Sequence, residues 1–98
     1  MVRKYKVKGK VWLWPGDVAA WHFVNVDKKI SEEIREKHTK VRRGFGSVRV
    51  VATLGTTKWK TSIFPDKRSG TYLLPLKAAV RRAEDISEGD SITFTLDI

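Results

Sequence analysis

The sequence predicts a mainly β protein: a small, closed or partly open, six-stranded and mostly antiparallel barrel with one helix of about three turns and one short helix. Three observations predict it. Residues 4–14 and 91–98 alternate between two chemical classes, which is the period of a strand whose two sides meet different surroundings. Turn-forming Gly, Pro and Asp residues punctuate the remaining apolar runs at strand-length intervals. Six strands and two helices in 98 residues then favour a barrel, because closure removes the exposed edges that an open sheet would leave.

The first strand runs from Lys4 to Trp14, with Lys4, Lys6, Lys8, Lys10, Trp12 and Trp14 on one side and Tyr5, Val7, Gly9, Val11 and Leu13 on the other. Trp14-Pro15-Gly16-Asp17 makes a turn: Pro presets φ, Gly accepts a positive φ and Asp bonds its own backbone. Ala19 to Val26 is almost continuously apolar, as expected of a central strand covered on both sides and paired with the first. A helix is expected to begin near Ser31 as its cap, with Glu32 and Glu33 at its positive end and Lys37 and Lys40 at its other end. Ile30, Ile34 and Val41 form its narrow apolar stripe, and Glu33 with Lys37 and Glu36 with Lys40 are spaced as i, i+4 pairs.

Gly44-Phe45-Gly46 ends that helix, and Ser47 to Leu54 forms a strand with Val48, Val50 and Ala52 inward. Gly55-Thr56-Thr57 turns it into a strand from Lys58 to Phe64, halted by Pro65. Asp66 to Gly70 is a loop, and Thr71 to Leu74 a short strand closed by Pro75. A helical turn or two follows, with Ala79, Val80 and Ala83 on its inner side and Arg81 and Arg82 toward solvent. Gly89-Asp90 turns the chain into the last strand, where Ile92, Phe94, Leu96 and Ile98 alternate with Ser91, Thr93, Thr95 and Asp97.

Composition bounds the chemistry. A chain of 98 residues is read as one domain that can bury roughly two-thirds of its unfolded surface. Zero cysteines agree with a reducing compartment and remove disulfides, thiol catalysis and thiolate zinc sites. No apolar run approaches the roughly 20 residues that span a bilayer, and no signal-peptide pattern opens the chain, so a cytoplasmic protein without a membrane partner is expected. Twenty Lys and Arg against eleven Asp and Glu give a formal charge of +9, whose field attracts a polyanion such as nucleic acid, or an acidic protein. The same charge, with one Asn and no Gln, also suits heat adaptation.

Several strings together resemble one family: Val11-Trp12-Leu13-Trp14-Pro15-Gly16, Ala20-Trp21-His22-Phe23-Val24, Gly44-Phe45-Gly46-Ser47-Val48, Trp59 to Pro65, and Tyr72 to Lys77 with Val80-Arg81. They are similar to the small bacterial and archaeal family catalogued as domain of unknown function nineteen-oh-five, in order, from about Tyr5 to Ile98. The resemblance implies a compact β-barrel, fused in some members to a module named for association with bacteriocin protection, and it implies no reaction. The tail from Leu74-Pro75 to Ser91-Ile92 also resembles the helix and Gly-Asp turn of swapped-hairpin, AbrB-type barrels. Its spacing is about two residues longer, so their DNA-binding role does not carry over.

Candidate sites are weighed against plainer roles. Two histidines, no cysteine and no suitably spaced carboxylates give no metal centre, and no cofactor is implied. His38 is read as a surface residue, and His22 as a core histidine that must find a hydrogen-bond partner. A catalytic pairing of His22 with Ser62 or Lys60 lacks an elbow motif, and Thr61 and Ser62 are expected to bond across strands or to backbone. Gly44-Phe45-Gly46 after Lys40, Arg42 and Arg43 is read as a helix end ahead of a phosphate cradle. The strongest constellation joins Trp12, Trp14, Trp21 and Trp59 with Arg43, Lys58, Lys60, Lys77 and Arg81, a set able to stack bases and hold anions. Its plain alternative puts Trp21 and Trp59 in the core and Trp12 and Trp14 at the barrel ends.

Three functions stay open: a non-enzymatic binding module for an anionic or aromatic ligand, in which His22 and Ser62 join the tryptophans and cations as candidate binding residues, an enzyme acting through His22, and an interaction domain that docks to a partner or forms a homodimer. The four lysines of the first strand fall outside the strings of the family resemblance and are read as a solvated, heat-adapted face. Trp12 and Trp14 fall inside those strings.

Overall fold

Alternation along one long strand builds the wall of the barrel. In the computed structural model, which describes residues 3–14, 21–37 and 46–98, the order of elements is β1 (Lys4–Trp14), β2 (Trp21–Asn25), α1 (Lys28–Lys37), β3 (Val48–Leu54), β4 (Thr57–Asp66), β5 (Thr71–Pro75), α2 (Ala78–Ala83) and β6 (Ser91–Asp97). The strands close into a barrel in the order β1-β2-β5-β4-β3-β6, every neighbouring pair antiparallel. β1 and β4 each serve two neighbours. Lys4–Lys10 pair with β6 and Val11–Trp14 with β2, while Thr57–Ile63 pair with β3 and Phe64–Asp66 with β5.

At the changeover in β1, a Cβ on Gly9 would lie 2.7 Å from Val24 Cγ2 and 2.9 Å from the Asn25 carbonyl oxygen. The exchange of neighbours therefore depends on a residue without a side chain. The Val11 amide then bonds the Asp90 carbonyl at 2.9 Å, and the Gly89 amide bonds the Val11 carbonyl at 2.8 Å. Gly89 takes φ +92°, and Asp90 accepts from the Ser87 amide at 2.8 Å, as the Gly-Asp pair predicts.

The inward sides of the strands, among them Val7, Val11, Val24, Ile63, Leu74 and Phe94, make one hydrophobic core that Ile34 of α1 and Val80 of α2 complete. Each large apolar side chain buried there contributes about 1.5–3 kcal/mol. No helix among the described residues is long and apolar enough to cross a membrane.

Several expectations change. The helix begins at Lys28 rather than near Ser31, because Asp27 is the capping residue: its carboxylate accepts from the Ile30 amide at 3.1 Å. Ser31 is buried within the helix. Its hydroxyl donates to the Val26 carbonyl at 2.9 Å and accepts from the Tyr72 amide at 3.0 Å, while the Val26 amide reaches the Tyr72 carbonyl directly at 2.8 Å. One rung of the β2–β5 ladder is thus completed by a side-chain hydroxyl of α1. Glu33 bonds Tyr5 rather than pairing with Lys37; burial, then the Glu33 charge, pushes the Tyr5 phenol up.

β2 is shorter than Ala19 to Val26 and is covered on one side only: Val24 is buried while Trp21 is exposed. Pro65 does not halt β4, which continues to Asp66 with Pro65 opposite Tyr72, since a ladder tolerates proline where no N–H is needed. In α2 only Val80 is buried, Ala79 and Ala83 are exposed, and Arg81 is half-buried with its Nε donating to the Leu76 carbonyl. His38, Lys40, Val41, Arg43 and the Gly44-Phe45 pair, with the Pro15-Gly16-Asp17 turn, lie outside the described residues.

Replacing Ser31 by Ala strands the Tyr72 amide and the Val26 carbonyl in a dry site. The expected loss is about 1–3 kcal/mol, read as a lower urea midpoint with an unchanged slope.

Candidate binding groove

The outward side of β1 changes character along its length, from Lys4, Lys6, Lys8 and Lys10 to Trp12 and Trp14. The register then sets Trp14 beside Trp21 and Trp12 beside Phe23, all four facing away from the core. Ring centroids lie 6.1 Å apart for Trp12 and Trp14, 5.4 Å for Trp12 and Phe23, and 6.4 Å for the nearly parallel Trp21 and Phe23. Across β5, the pairs Phe23 with Pro75 and Phe64 with Leu73 extend this apolar surface to β4. Trp14, Trp21, Phe23, Phe64, Leu73 and Pro75 of this surface line a groove of about 800 Å³, while Trp12 borders a separate depression with Asn25 and Gly89. Trp21 is 58% exposed, Phe64 44% and Trp14 39%, whereas Trp59 is 8% exposed and belongs to the core.

The plain alternative for the tryptophans therefore holds for Trp59 and fails for Trp21. Trp12 and Trp14 lie on the outer face of the sheet rather than at a barrel end, because their positions in β1 have the same parity as the exposed lysines.

Hydrogen bonds fix the rim. The Trp12 indole N–H donates to Asn25 Oδ1 at 2.6 Å, and Asn25 Nδ2 donates to Thr71 Oγ1 at 2.9 Å. Thr71 and Ser69 hydroxyls are 2.8 Å apart, and Ser69 donates to Asp66 Oδ2 at 2.9 Å, so the Thr71 proton points to Ser69. Asp66 Oδ1 faces Arg68 Nε at 3.6 Å, and the Arg68 guanidinium lies 4.7 Å from the Trp14 ring centroid. The chain of contacts leaves one tryptophan and returns to its neighbour. Burial alone would raise the Asp66 carboxyl; the Ser69 hydroxyl and then Arg68 outweigh it and hold Asp66 below its ordinary value.

Arg49, Lys60 and Arg68 supply the groove's cations, and Ser62 stands opposite Arg49 in the β3–β4 register. Neither Thr61 nor Ser62 makes a side-chain hydrogen bond among the described residues, contrary to expectation. Lys77 lies beside a smaller depression of about 200 Å³ shared with Trp21, Trp59 and Lys60. Arg43 is outside the described residues. No cluster of three or more potential metal ligands occurs among the described residues.

The sequence profile of the family described as a domain of unknown function, DUF1905, matches residues 8–96. The chain belongs to the DUF1905 family. The matched span begins within β1 and ends within β6, so it includes the whole circuit of the barrel. No curated protein matches the chain.

In this DUF1905 barrel His22 stands apart from the groove. It pairs with Leu13 and shares a side of β2 with buried Val24, opposite to Trp21 and Phe23. Its carbonyl accepts from the Leu76 amide at 2.9 Å, but its Nδ1 is buried without a hydrogen-bond partner among the described residues, so it is not the satisfied histidine expected. Burial pushes the imidazole below its ordinary value, Arg81 adds to this, and Glu88 opposes it. The wall of the barrel separates His22 from Ser62 and Lys60, and the pairing considered for catalysis is not assembled.

The residues missed by sequence reading are Phe23, Phe64, Arg49, Arg68, Asn25 and Asp66. The outward parity of Phe23 and Phe64 was available in their strands, while Arg49 depends on register and Arg68 on a loop.

Two outcomes follow from this geometry. Asn25→Ala removes the link between Trp12 and Thr71 and is expected to cost about 1–3 kcal/mol, with tryptophan emission shifted to the red. An NMR titration is expected to place the His22 imidazole below the ordinary histidine value, and Arg81→Gln is expected to raise that midpoint. Because its folded midpoint lies below the unfolded one, the contribution of His22 to stability is present above the unfolded midpoint and is lost as pH falls through the folded one.

Proposed function

We propose that this DUF1905 domain is a non-enzymatic binding module whose outer groove takes a nucleotide, an aromatic base carrying negative charge. The observation that carries this reading is the exposure of Trp14, Trp21 and Phe64 in one groove with Arg49, Lys60 and Arg68. Large aromatics cost free energy when left in water, and a contiguous exposed set rimmed by polar groups is typical of an interaction surface. A base stacked on such a ring gains roughly 1–3 kcal/mol, and a phosphate beside the cations gains charge-assisted hydrogen bonds.

Charge favours a nucleotide over the simplest competing occupant. Two copies of the chain meeting groove to groove would bring both sets of Arg49, Lys60 and Arg68 together, with Asp66 already engaged by its own Arg68. A nucleotide brings the opposite sign. The separation of His22 from Ser62 and Lys60 favours binding over the catalytic alternative.

Adenosine monophosphate titrated into the protein at low salt is expected to quench tryptophan fluorescence saturably. Trp21→Ala is expected to weaken binding at least about fivefold, as the loss of one stacking contact requires. Absence of quenching overturns the proposal. So does a dimer in light scattering that Trp21→Ala converts to a monomer, since the groove would then be a self-association face.

A further inference from the structure

The barrel has a second outward face, built by β1, β6, β3 and the first half of β4. Register sets the rows across it. Lys4 stands beside Asp97, then Val51, then Lys60; Lys6 stands beside Thr95, then Thr53, then Lys58. Lys8 faces Thr93 and Lys10 faces Ser91. The result is a lane of short side chains, mostly hydroxyls, between lysines of β1 and lysines of β4. Asp97 is its carboxylate. Successive β1 lysines lie about 6.7 Å apart along the strand, and three strand spacings of about 4.8 Å separate β1 from β4.

Heat adaptation does not account for this face. Charges that stabilise a protein at high temperature are arranged in ion-pair networks, but the ion pair found among the described residues is Arg68 with Asp66, in the groove. The exposed lysines of β1 and β4 pair with no carboxylate among the described residues. A face of like charge destabilises the compact state by self-repulsion. A bound polyanion would remove that repulsion.

The two outer faces also meet. Arg49 and Lys60 line both the aromatic groove and a depression of about 490 Å³ on the lysine-bearing face, beside Val51 and Asp97. β4 itself leads from Lys58 and Lys60 through Ser62 to Phe64 on its outward side. We infer that groove and lysine face are one continuous path for a single-stranded nucleic acid, bases stacking in the groove and the phosphate chain passing Arg49 and Lys60 onto the hydroxyl lane. The inference rests on the nucleotide reading for its base contacts, while the phosphate contacts stand on the lysine face. A single strand fits because its bases are free to enter the groove, and cationic grooves with stacking aromatics are the general means of holding one.

The test follows a fluorescein-labelled oligothymidylate of about twelve nucleotides by anisotropy over a range of salt. A variant with Lys4, Lys6, Lys8 and Lys10 all changed to Thr keeps strand propensity at exposed positions, and its circular dichroism and melting check the fold. A second variant changes the same four to Arg and keeps the charge. The Thr variant is expected to bind about tenfold or more weakly at about 50 mM salt and to lose about 2 to 3 from the salt slope, while the Arg variant retains both.

Quenching by adenosine monophosphate is expected to be unchanged in both. Unchanged oligonucleotide affinity and slope in the Thr variant overturn the path and leave the groove reading intact. Equal affinity for a duplex of the same length overturns it too, since the attraction would then be a general field. Failure of the mononucleotide with lysine-dependent oligonucleotide binding overturns the groove and the continuous path together. Pelleting with phosphatidylserine vesicles without oligonucleotide binding overturns the nucleic-acid assignment.

Discussion

Everything in this barrel depends on β1 keeping its parity while it changes partners. The strand bonds β6 with its first seven residues and β2 with its last four, and a slip of one position at the exchange would turn every later side chain through the wall. Gly9 permits the exchange without a slip, because Val24 and the Asn25 carbonyl occupy the space that a side chain would need. The core keeps Val7 and Val11 on the same side, and the outer surface keeps lysines and tryptophans on the other. Closure and surface chemistry are therefore set by a single constraint.

β4 repeats the arrangement from the other side of the barrel. It serves β3 and then β5, and its outward side runs from Lys58 and Lys60 to Phe64. The two long strands divide the outer surface into a cationic half and an aromatic half, with Arg49 and Lys60 at the boundary. Local bonding then holds the aromatic half in shape. Asn25, the one asparagine in the chain, ties β2 to β5 and holds the Trp12 indole, while Asp66 and Arg68 hold the Trp14 side.

Much of the fold was legible because a period of two is a strong signal: the spans of β1 and β6 and the inward set of β3 follow from alternation, and the pairing of β1 with β2 from the turn signal and apolar run after it. The start of α1 was not, since Asp27 and Ser31 are both acceptable caps and only tertiary contact with Tyr72 draws Ser31 into the interior. The coverage of β2 was misread for a related reason. A run such as Trp21-His22-Phe23-Val24 is equally apolar whether its second side meets protein or a groove. Trp14, Trp21, Lys60 and Ser62 were found as groove residues by type, but Arg49 and Phe64 join them through register and closure. His22 was singled out as unusual and Arg81 as a candidate binding cation, yet the Arg81 charge acts on His22, its Nε donates to the Leu76 carbonyl, and neither residue lines the groove.

The bonds along the groove rim have a direction. From the Trp12 indole through Asn25, Thr71 and Ser69 to Asp66, each proton is given toward the carboxylate, and an inverted Asn25 amide would set donor against donor at Trp12. The rim therefore has its hydrogens already assigned before any guest arrives. A guest whose own donors and acceptors competed for Trp12, Asn25 or Thr71 would have to break one of these bonds to make one. What stays on offer beside those bonds is flat rings, charge and the hydroxyls of Thr61 and Ser62, so guests alike in flatness and charge are held by the same parts of the surface, and selection is for a class of molecule rather than a particular member.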